Sequence, residues 1–371
     1  MSGKIRVLIV DDSAFARFSI SKQLSSDPEI EIIDTARNGI EALAKIKDLK
    51  PDVVTLDVEM PQMDGLTALG HIMSDYPTPV VMLSSLTVEG TDTTFKALNL
   101  GAVDFFAKPS PTAPAGVNDD VVGDLVAKVK VAAGIDRLRL KVMVKERLEK
   151  PRTIVPSRNI EGIAKRRQLH SPSRHRLIIL GSSTGGPRAL NELIPMLPGD
   201  LPAAILMVQH MPVGFTKSLA ERLNDSAELD VKEAQTGDIL SPGLALLARG
   251  GYHMTVDANG KIGLNMAPQE CGLRPAVNVT MESAAQHYGK TILGVVLTGM
   301  GNDGTRGCGL IKDVEGEVIV EDQSTCVVYG MPRSIVDSGY ADSILPLHRI
   351  ADEIVKRCQV DSTVIAGGVH I

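Results

Sequence analysis

The sequence lacks tryptophan and contains few aromatic residues of any kind. Phe, Trp and Tyr together make up 3% of its 371 residues. Because proteins that bind single-stranded nucleic acid stack successive bases on aromatic side chains, this composition argues against that class. The formal net charge of −6 provides no overall basic character either. We therefore expect no nucleic-acid partner.

Cysteine pairs and long apolar runs are absent as well. The chain has four cysteines, no two of them spaced as C-x-x-C, so neither a zinc site nor a redox pair is indicated. The apolar runs have about the length of strands and fall short of the ~18 residues that span a bilayer. The N-terminal "MSGKIRVLIVDDS" places acids directly after its first apolar run, unlike a secretory signal. We expect reduced thiols, a cytoplasmic location and no membrane insertion.

Apolar runs alternate with amphipathic segments in both halves of the chain. The first half contains the strand candidates "IRVLIV" (5–10), "EIIDTA" (31–36), "DVVTLD" (52–57), "PVVMLS" (79–84) and "VDFFAK" (103–108). The second half contains "RLIILGSS" from 176, "AAILMVQH" (203–210), "LALLA" (244–248), "TILGVVLTG" (291–299) and "EVIVED" (317–322). Continuous apolar strands between helices are typical of parallel sheets covered on both faces. The pattern predicts α/β architecture with two doubly wound parallel-sheet domains.

A helix and a basic segment separate these halves. Apolar residues at helical spacing predict one long helix over 119–149, which Pro151 ends. Residues 151–176 carry seven Lys or Arg, two His, three Pro and a single acid, a composition typical of a solvated linker. A basic arm that binds nucleic acid is the less favoured alternative, since nothing nearby supports it. We predict domains at 1–122 and 176–371, joined by a helical and basic linker at 123–175.

Acidic side chains follow the strands of the first half. Asp11 and Asp12 follow the first strand and Asp57 ends the third. In an open parallel sheet, ligands bind beyond the carboxyl ends of the strands, so these carboxylates should converge there. Hard oxygen ligands suit Mg²⁺, and Lys108, after the fifth strand, can balance the remaining charge. Each aspartate alone could equally cap the helix that follows it, and the set as a whole is what favours a metal site.

With Ser84, the pair Lys108-Pro109 and "MPQMDG" after Asp57, this half resembles the receiver domains of two-component response regulators. The resemblance implies a flavodoxin-like fold and a histidine kinase that phosphorylates Asp57. It also implies Mg²⁺ held by Asp12, Asp57 and the main chain at Glu59, with Asp11 assisting.

The same resemblance gives the receiver two switch residues. Ser84 would bond the phosphoryl group. Phe105 stands where many receivers have a tyrosine that swings inward. Since phenylalanine has no hydroxyl, only the packing part of that switch can operate here.

A serine and a histidine follow neighbouring strand candidates in the second half. In "LIILGSSTGGPRAL", a strand leads through a glycine turn into a helix, and Ser183 lies in the turn near helical N–H groups. Taken alone, this motif is more often a turn with a capping serine than a nucleophile site. His210 directly follows "AAILMVQ", and a lone histidine there is more often structural. Matching strand ends would nevertheless bring the imidazole within reach of the hydroxyl.

The glycine-rich "LTGMGNDGTRG" (297–307) permits two interpretations. Gly299, Gly301 and Gly304 match the G-x-G-x-x-G pattern of dinucleotide-binding domains, and Glu321 lies roughly where that pattern requires an acid. However, Asp303 would repel a bound pyrophosphate, and the pattern normally opens its domain rather than following several strands. Alternatively, Asp303 could orient His210 and stabilise its imidazolium form.

The second half, from about 176 to 365, resembles chemotaxis receptor methylesterases, the CheB family. The shared stretches are "GSSTGG", "QHMP", "GFTKSLAERLN", "LTGMGNDG" and "CVVYGMPRS". The resemblance implies a Rossmann-like three-layer esterase domain with Ser183 as nucleophile, His210 as general base and acid, and Asp303 as its orienting carboxylate. It further implies that the Met300 N–H contributes to the oxyanion hole, that Thr184 shapes the pocket, and that the esterase needs no cofactor.

Together, the resemblances imply a phosphorylation-activated protein-glutamate methylesterase. Its substrates would be glutamate γ-methyl esters and specific glutamines on the cytoplasmic domains of chemoreceptors, with the histidine kinase of the chemotaxis array as phosphodonor. They also imply that the unphosphorylated receiver packs over the catalytic cleft. The alternative is a response regulator whose output is binding, to a dinucleotide or to a protein partner.

Overall fold

The computed structural model describes residues 3–84, 88–108, 118–135 and 176–366. The chain divides into two compact units, Met1–Arg152 and Thr153–Ile371. The finer division at 1–122, 123–175 and 176–371 stays a prediction, because most of the linker lies outside the described ranges. None of the helices in those ranges combines the length and apolar character that crossing a membrane requires.

The first unit contains one five-stranded parallel sheet in the order β2-β1-β3-β4-β5. Its strands are β1 (Ile5–Val10), β2 (Ile30–Ala36), β3 (Val53–Asp57), β4 (Val80–Ser84) and β5 (Asp104–Ala107). Its helices are α1 (Ala14–Leu24), α2 (Gly39–Leu49), α3 (Gly65–Asp75), α4 (Val88–Leu100) and α5 (Asn118–Ala133). This is the flavodoxin-like strand order, so the predicted fold is confirmed.

Polar residues begin three of these helices. The side chains of Ser13, Asn38 and Asp64 each accept a hydrogen bond from a main-chain N–H in the first turn of α1, α2 and α3. These caps satisfy N–H groups that have no partner within the helix. They also fix where the chain leaves each strand, which positions the carboxyl edge of the sheet.

The helix predicted over 119–149 is wrong in its length. Helix α5 ends at Ala133, and the Gly134 N–H donates to the carbonyl oxygens of Lys130 and Val131 at 3.3 and 3.1 Å. Glycine is a poor helix former, because its backbone loses more freedom in a helix than that of any other residue. Apolar residues continue at helical spacing beyond this glycine, so the sequence pattern did not reveal that the helix ends there. Residues 136–149 of the predicted helix lie outside the described ranges.

The second unit is built on a seven-stranded parallel sheet in the order β14-β13-β12-β6-β7-β9-β8, with a separate antiparallel hairpin, β10-β11. The strands are β6 (Arg176–Ser182), β7 (Ala203–Gln209), β8 (Asp230–Glu233), β9 (Leu244–Leu247), β10 (His253–Val256), β11 (Ile262–Asn265), β12 (Ile292–Val296), β13 (Glu317–Glu321) and β14 (Ser343–Leu345). The helices are α6 (Gly186–Leu193), α7 (Phe215–Ser226), α8 (Val277–Tyr288), α9 (Thr305–Asp313), α10 (Met331–Asp337) and α11 (Leu347–Ala366), with 3₁₀ turns at Ile194–Met196 and Gly289–Thr291. The second doubly wound domain is thereby confirmed.

Strand β6 lies between β12 and β7, where the order of the sheet changes direction. Ser182, the last residue of β6, pairs with Gln209, the last residue of β7. On the other side, Gly181 pairs with Val296, the last residue of β12. The carboxyl ends of three adjacent strands therefore meet at the switch point, the usual place for a site in an open α/β sheet.

Candidate active site and phosphorylation site

Ser183 lies in a tight turn between β6 and α6. Gly185 has φ +80°, and a Cβ added to Gly186 would lie 2.0 Å from the side-chain oxygen Oε1 of Gln209, so both positions require glycine. The Ser183 side chain is partly exposed. Its hydroxyl makes no hydrogen bond to any described residue, which leaves it available to a ligand.

The side chain of Gln209 joins the nucleophile turn to the residue after β7. Its Oε1 accepts from the Ser182 hydroxyl at 2.7 Å, and its Nε2 donates to the main-chain oxygens of Ser183 and His210 at 2.9 and 3.1 Å. Gln209 is 1% exposed, so these bonds are shielded from water. In the sequence, the only signal of this residue is a polar side chain at the end of an apolar strand.

His210 and Asp303 form a short buried contact. The distance from His210 Nε2 to Asp303 Oδ2 is 2.7 Å, and Asp303 is 2% exposed. Burial alone would raise the pKa of Asp303, but hydrogen bonds from His210 and main-chain N–H groups outweigh it, and the pKa lies below its usual value. Asp303 therefore stays ionised beside the imidazole.

Asp303 also caps a helix that belongs to another part of the chain. Its carboxylate accepts from the N–H groups of Val277 at 2.6 Å and Asn278 at 2.9 Å, the first two residues of α8. The preceding residue, Ala276, offers no side-chain cap. The positive end of the helix dipole thus faces the carboxylate, which further favours its charged form.

The side chain of Asn278 fixes the loop around Asp303. Its Oδ1 accepts from the N–H groups of Gly304 and Gly307 at 3.0 and 2.8 Å, and its Nδ2 donates to Glu270 at 2.7 Å. One amide therefore joins the start of α8 to the start of α9. Nothing in the sequence pointed to this residue, because its partners are remote in the chain.

The Asp303 contact determines which nitrogen of His210 can act as a base. Nε2 carries the proton when it donates to a carboxylate, so the lone pair of the neutral ring resides on Nδ1. Within the described structure, Ser183 Oγ makes no hydrogen bond to His210. Catalytic hydrogen bonds are often long or absent without substrate, so the arrangement remains competent.

The loop after β12 touches the nucleophile turn. The Ser183 N–H donates to the Thr298 carbonyl at 3.0 Å, and a Cβ on Gly299 would lie 2.9 Å from the Cβ of Ser183. The next residue, Met300, has a main-chain N–H without a hydrogen bond to any described group. Thr184 is buried beside this contact. The loop thus brings an unused donor close to the serine.

The dinucleotide interpretation of this loop is not supported. Glu321, its expected ribose ligand, is completely buried and accepts from the Thr298 N–H at 2.8 Å. Asp303, which a pyrophosphate would meet, is ionised and already bonded to His210. Both acids are thus committed to contacts within the protein.

At the carboxyl edge of the first sheet, three acids lie together as predicted. Ligand atoms of Asp11, Asp12 and Asp57 all lie within 4.8 Å of one another. Lys108 Nζ is 2.7 Å from both Asp11 Oδ2 and Asp57 Oδ2. Burial raises the pKa of Asp57 to about 6, despite the lowering effect of Lys108. This donor set of hard oxygens fits Mg²⁺, and Glu59, whose main chain is the remaining predicted ligand, lies exposed two residues after Asp57.

Both expected switch residues of this unit are buried. The Thr94 hydroxyl donates to Ser84 Oγ at 2.7 Å, and Ser84 Oγ contacts the Gly90 carbonyl at 3.2 Å. The Phe105 ring is buried, with Lys128 Nζ 5.3 Å from its centroid and 2.8 Å from its carbonyl oxygen. Thr94, which carries no signal in the sequence, therefore holds Ser84 in its buried position.

The first unit thus contains an acidic cluster with a lysine, and the second brings a serine, a histidine and an aspartate to neighbouring strand ends. The response regulator receiver domain model matches residues 7–114, and the CheB methylesterase model matches residues 178–354. A protein-glutamate methylesterase/protein-glutamine glutaminase from Symbiobacterium thermophilum is 49% identical over 95% of this chain and 96% of the relative. The chain therefore belongs to the protein-glutamate methylesterase/protein-glutamine glutaminase family.

A second relative matches the chain over its full length, and a solved structure matches part of it. A protein of the same description from Pyrococcus horikoshii is 44% identical over 100% of this chain and 97% of its own length. The crystal structure of the Thermotoga maritima CheB methylesterase catalytic domain is 46% identical, with a TM-score of 0.48, and covers 49% of this chain and 98% of that chain.

Proposed function

We propose that this chain is a phosphorylation-activated protein-glutamate methylesterase that also deamidates specific glutamines. Its substrates are glutamate γ-methyl esters on the cytoplasmic domains of chemoreceptors. The observation that carries the proposal is the 2.7 Å contact between His210 and Asp303, with Ser183 on the neighbouring strand end. The alternative of a dinucleotide-binding output has no comparable support, because Glu321 is buried.

In the acylation step, Ser183 Oγ attacks the ester carbonyl while His210 Nδ1 takes its proton. Asp303 holds the imidazole through Nε2 and stabilises its charged form. The negative oxygen of the tetrahedral intermediate accepts from the Met300 N–H, and Thr184 shapes the pocket around it. His210 then returns the proton to the departing oxygen, the C–O bond breaks and methanol leaves.

In the deacylation step, water takes the place of Ser183 as the attacking nucleophile. His210 takes a proton from the water, the hydroxide adds to the acyl carbon, and Ser183 leaves with the proton that His210 held. The product is a free glutamate. Deamidation follows the same path, with ammonia as the leaving group, and needs no metal.

In the first unit, Asp57 accepts a phosphoryl group from the histidine kinase of the chemotaxis array. Asp12, Asp57 and the main chain at Glu59 would hold Mg²⁺, with Asp11 assisting, and a bound ion would supply positive charge that favours phosphoryl transfer to Asp57. Lys108, already within 2.7 Å of Asp57, adds a second positive charge. Ser84 leaves Thr94 to bond the phosphoryl group, and Phe105 repacks.

Phosphorylation then activates the esterase through a shift between closed and open arrangements of the two domains. The receiver masks the cleft in the closed arrangement and releases it when Asp57 is phosphorylated. The proposed substrates and phosphodonor place this reaction on the cytoplasmic side of the membrane.

The test is methanol release from membranes that contain methylated receptor, with and without a small phosphodonor. Ser183→Ala should abolish release, whereas Ser324→Ala, at an exposed serine remote from the triad in sequence, should retain the wild-type rate. Full activity of Ser183→Ala would remove the triad assignment. NAD(H) binding without any methanol release by the wild type would favour the binding-output alternative.

A further inference from the structure

Glu321 is a buried acid that the proposed mechanism does not use. It ends β13, is 0% exposed, and its Oε2 accepts from the Thr298 N–H at 2.8 Å. Its other oxygen, Oε1, has no hydrogen-bond partner within the described ranges. Burying a carboxyl group with an unsatisfied oxygen costs free energy, so an apolar residue would suit this strand end better if packing were its only purpose.

The Glu321 carboxyl group takes the place of a main-chain acceptor beyond the end of the β12–β13 pairing. Strands β12 and β13 remain paired up to Val296 and Val320. Beyond that pair the chain turns into the loop at 297–304, and Thr298 no longer has a main-chain acceptor on β13. The Glu321 side chain supplies the acceptor instead, so it fixes the peptide plane at which the loop leaves the sheet.

Thr298 in turn contacts the nucleophile turn at two points. Its carbonyl accepts from the Ser183 N–H at 3.0 Å, and its hydroxyl donates to the Thr184 carbonyl at 2.9 Å. The same hydroxyl accepts from the Val328 N–H at 2.9 Å. Two residues later along the loop comes Met300. A rotation at Thr298 would therefore move the nucleophile turn relative to the Met300 N–H.

We propose that Glu321 is a positioning residue that acts through Thr298 to set the distance between Ser183 and the oxyanion donor at Met300. The inference rests on the proposed function, since it assigns Glu321 a part in the same reaction. Oxyanion donors act only when they lie about 2.7–3.1 Å from the developing charge, and displacement of about 1 Å costs on the order of 10²-fold in rate.

The charge of Glu321 is not needed for this role. Burial raises the pKa of Glu321 above its usual value, outweighing the lowering effects of the Thr298 N–H, the nearby Thr325 hydroxyl and the positive charge of Arg188. A protonated carboxyl group still accepts from the Thr298 N–H through its carbonyl oxygen. A glutamine side chain offers the same oxygen at the same reach. Glutamine at position 321 should therefore preserve the positioning of Thr298, whereas an apolar residue should not.

The experiment measures methanol release by the full-length protein, with methylated receptor membranes and excess small phosphodonor. Glu321→Leu should lower kcat by about 10–100-fold with KM within about twofold, because the defect lies in transition-state stabilisation. Glu321→Gln should keep kcat within about threefold of wild type. A matched control is Glu317→Gln, at the other end of β13, which removes the negative charge that lies 2.9 and 3.1 Å from Arg176 and Arg357 and should leave kcat unchanged.

Thr298→Val gives an independent readout. It removes the hydroxyl that bonds to Thr184 but keeps the N–H that donates to Glu321. Because the hydroxyl also holds the nucleophile turn, kcat should fall here as well. If Glu321 acts through Thr298, the double variant Glu321→Leu/Thr298→Val should lose less than the product of the two single losses. Independent losses that multiply would contradict the proposal.

Two other results would overturn it: a folded Glu321→Leu protein with wild-type kcat, or a Glu321→Gln protein as slow as Glu321→Leu. A cooperative thermal transition establishes folding, and Glu321→Met replaces the leucine variant, with the same expectation, if that transition is lost. Failure of the proposed function is distinguishable, because it would show as full activity of Ser183→Ala whatever the Glu321 variants do.

Discussion

At the scale of single residues, Asp303 accepts four hydrogen bonds, and only one of them comes from His210. The other three come from main-chain N–H groups of α8 and of its own loop. His210 lowers the pKa of Asp303 most, and the α8 N–H groups lower it further, so the carboxylate is ionised before any substrate is present. The main-chain donors also hold the carboxylate in place, so the fold as well as the imidazole fixes the proposed orienting group of the triad.

Asp303→Asn tests this double role. Asparagine has one accepting oxygen, and its amide nitrogen only donates. It therefore cannot serve both His210 and the Asn278 N–H, which bond to different oxygens of Asp303, and the imidazole should lose its proper tautomer. We expect kcat for methanol release to fall by on the order of 10³–10⁴-fold. The loss of a cap should also lower the free energy of unfolding by about 1–2 kcal/mol, measured by urea denaturation. Asp313→Asn, at the exposed end of α9, is the control and should change neither quantity.

Asp57→Asn tests the electrostatics of the phosphorylation site. Because the pKa of Asp57 is raised to about 6, the folded state binds this proton more tightly than the unfolded chain. That contribution is fully present below the unfolded value and is lost as pH rises through about 6. In chelator-containing buffer, the variant should match wild-type stability near about pH 4 and exceed it by on the order of 1–3 kcal/mol above about pH 7.

The measurement follows urea unfolding of the first unit at several pH values. Asp48→Asn, at an exposed position on α2, is the control and should follow the wild type throughout. A difference between Asp57→Asn and wild type that does not vary with pH would contradict the raised pKa.

Sequence patterns could predict the residues that end strands but not those that brace them. Ser183, His210 and Asp57 follow or end long apolar runs, and a parallel sheet necessarily gathers such positions at one edge. Gln209 and Asn278 hold the site through hydrogen bonds to main-chain groups. Such partners are remote in sequence or leave no recognisable residue pattern, so the sequence does not reveal them. Glu321 was visible as an acid at a strand end, but its burial depends on neighbours that only the folded sheet supplies.

At the scale of secondary-structure elements, the starts of α8 and α9 depend on each other. Asn278, in the first turn of α8, accepts from two N–H groups of the α9 start, while Asp303, just before α9, caps α8. Each helix end therefore satisfies donors of the other, which explains why neither has a side-chain cap from its own preceding residue.

Asn278→Ala should loosen this junction. The Gly307 N–H loses its acceptor, and the Gly304 N–H keeps only its bond to Asp303, so we expect the free energy of unfolding to fall by about 1–3 kcal/mol. Since the loop also holds Asp303, kcat should fall by about tenfold or more, with KM little changed. Urea denaturation and methanol release measure the two effects. Asn259→Ala, in the exposed turn between β10 and β11, should leave both unaltered, and a wild-type kcat in Asn278→Ala would contradict the junction's role.

Strands with continuous apolar runs were predictable, and short strands without such a run were not. The central strands β1, β3, β6, β7 and β12 are buried along their whole length or nearly so, which produces an unmistakable pattern. The four strands β8, β10, β11 and β14 have only three or four residues, and some are partly exposed, so tertiary pairing rather than local sequence creates them. The end of α5 was missed for a related reason, because apolar periodicity outweighed one glycine.

At the scale of the whole molecule, each of the two compact units has its own sheet and its own buried core. A unit with a complete core can fold alone, which makes the regulatory proposal testable by dissection. The proposed masking by the receiver predicts that the isolated fragment 176–371 releases methanol faster than the unphosphorylated full-length protein. Adding a small phosphodonor should raise the full-length rate toward that of the fragment and leave the fragment unaffected. Equal rates without phosphodonor would exclude inhibition by masking.

The contrast between Ser183 and Asp303 has a practical consequence for trapping receptor complexes. The Ser183 hydroxyl bonds to nothing in the described structure, so its removal leaves every internal contact in place. Asp303, by contrast, anchors a helix, and an inactive protein made by changing it would present a loosened binding face. Ser183→Ala is therefore the better bait for capturing a bound receptor segment.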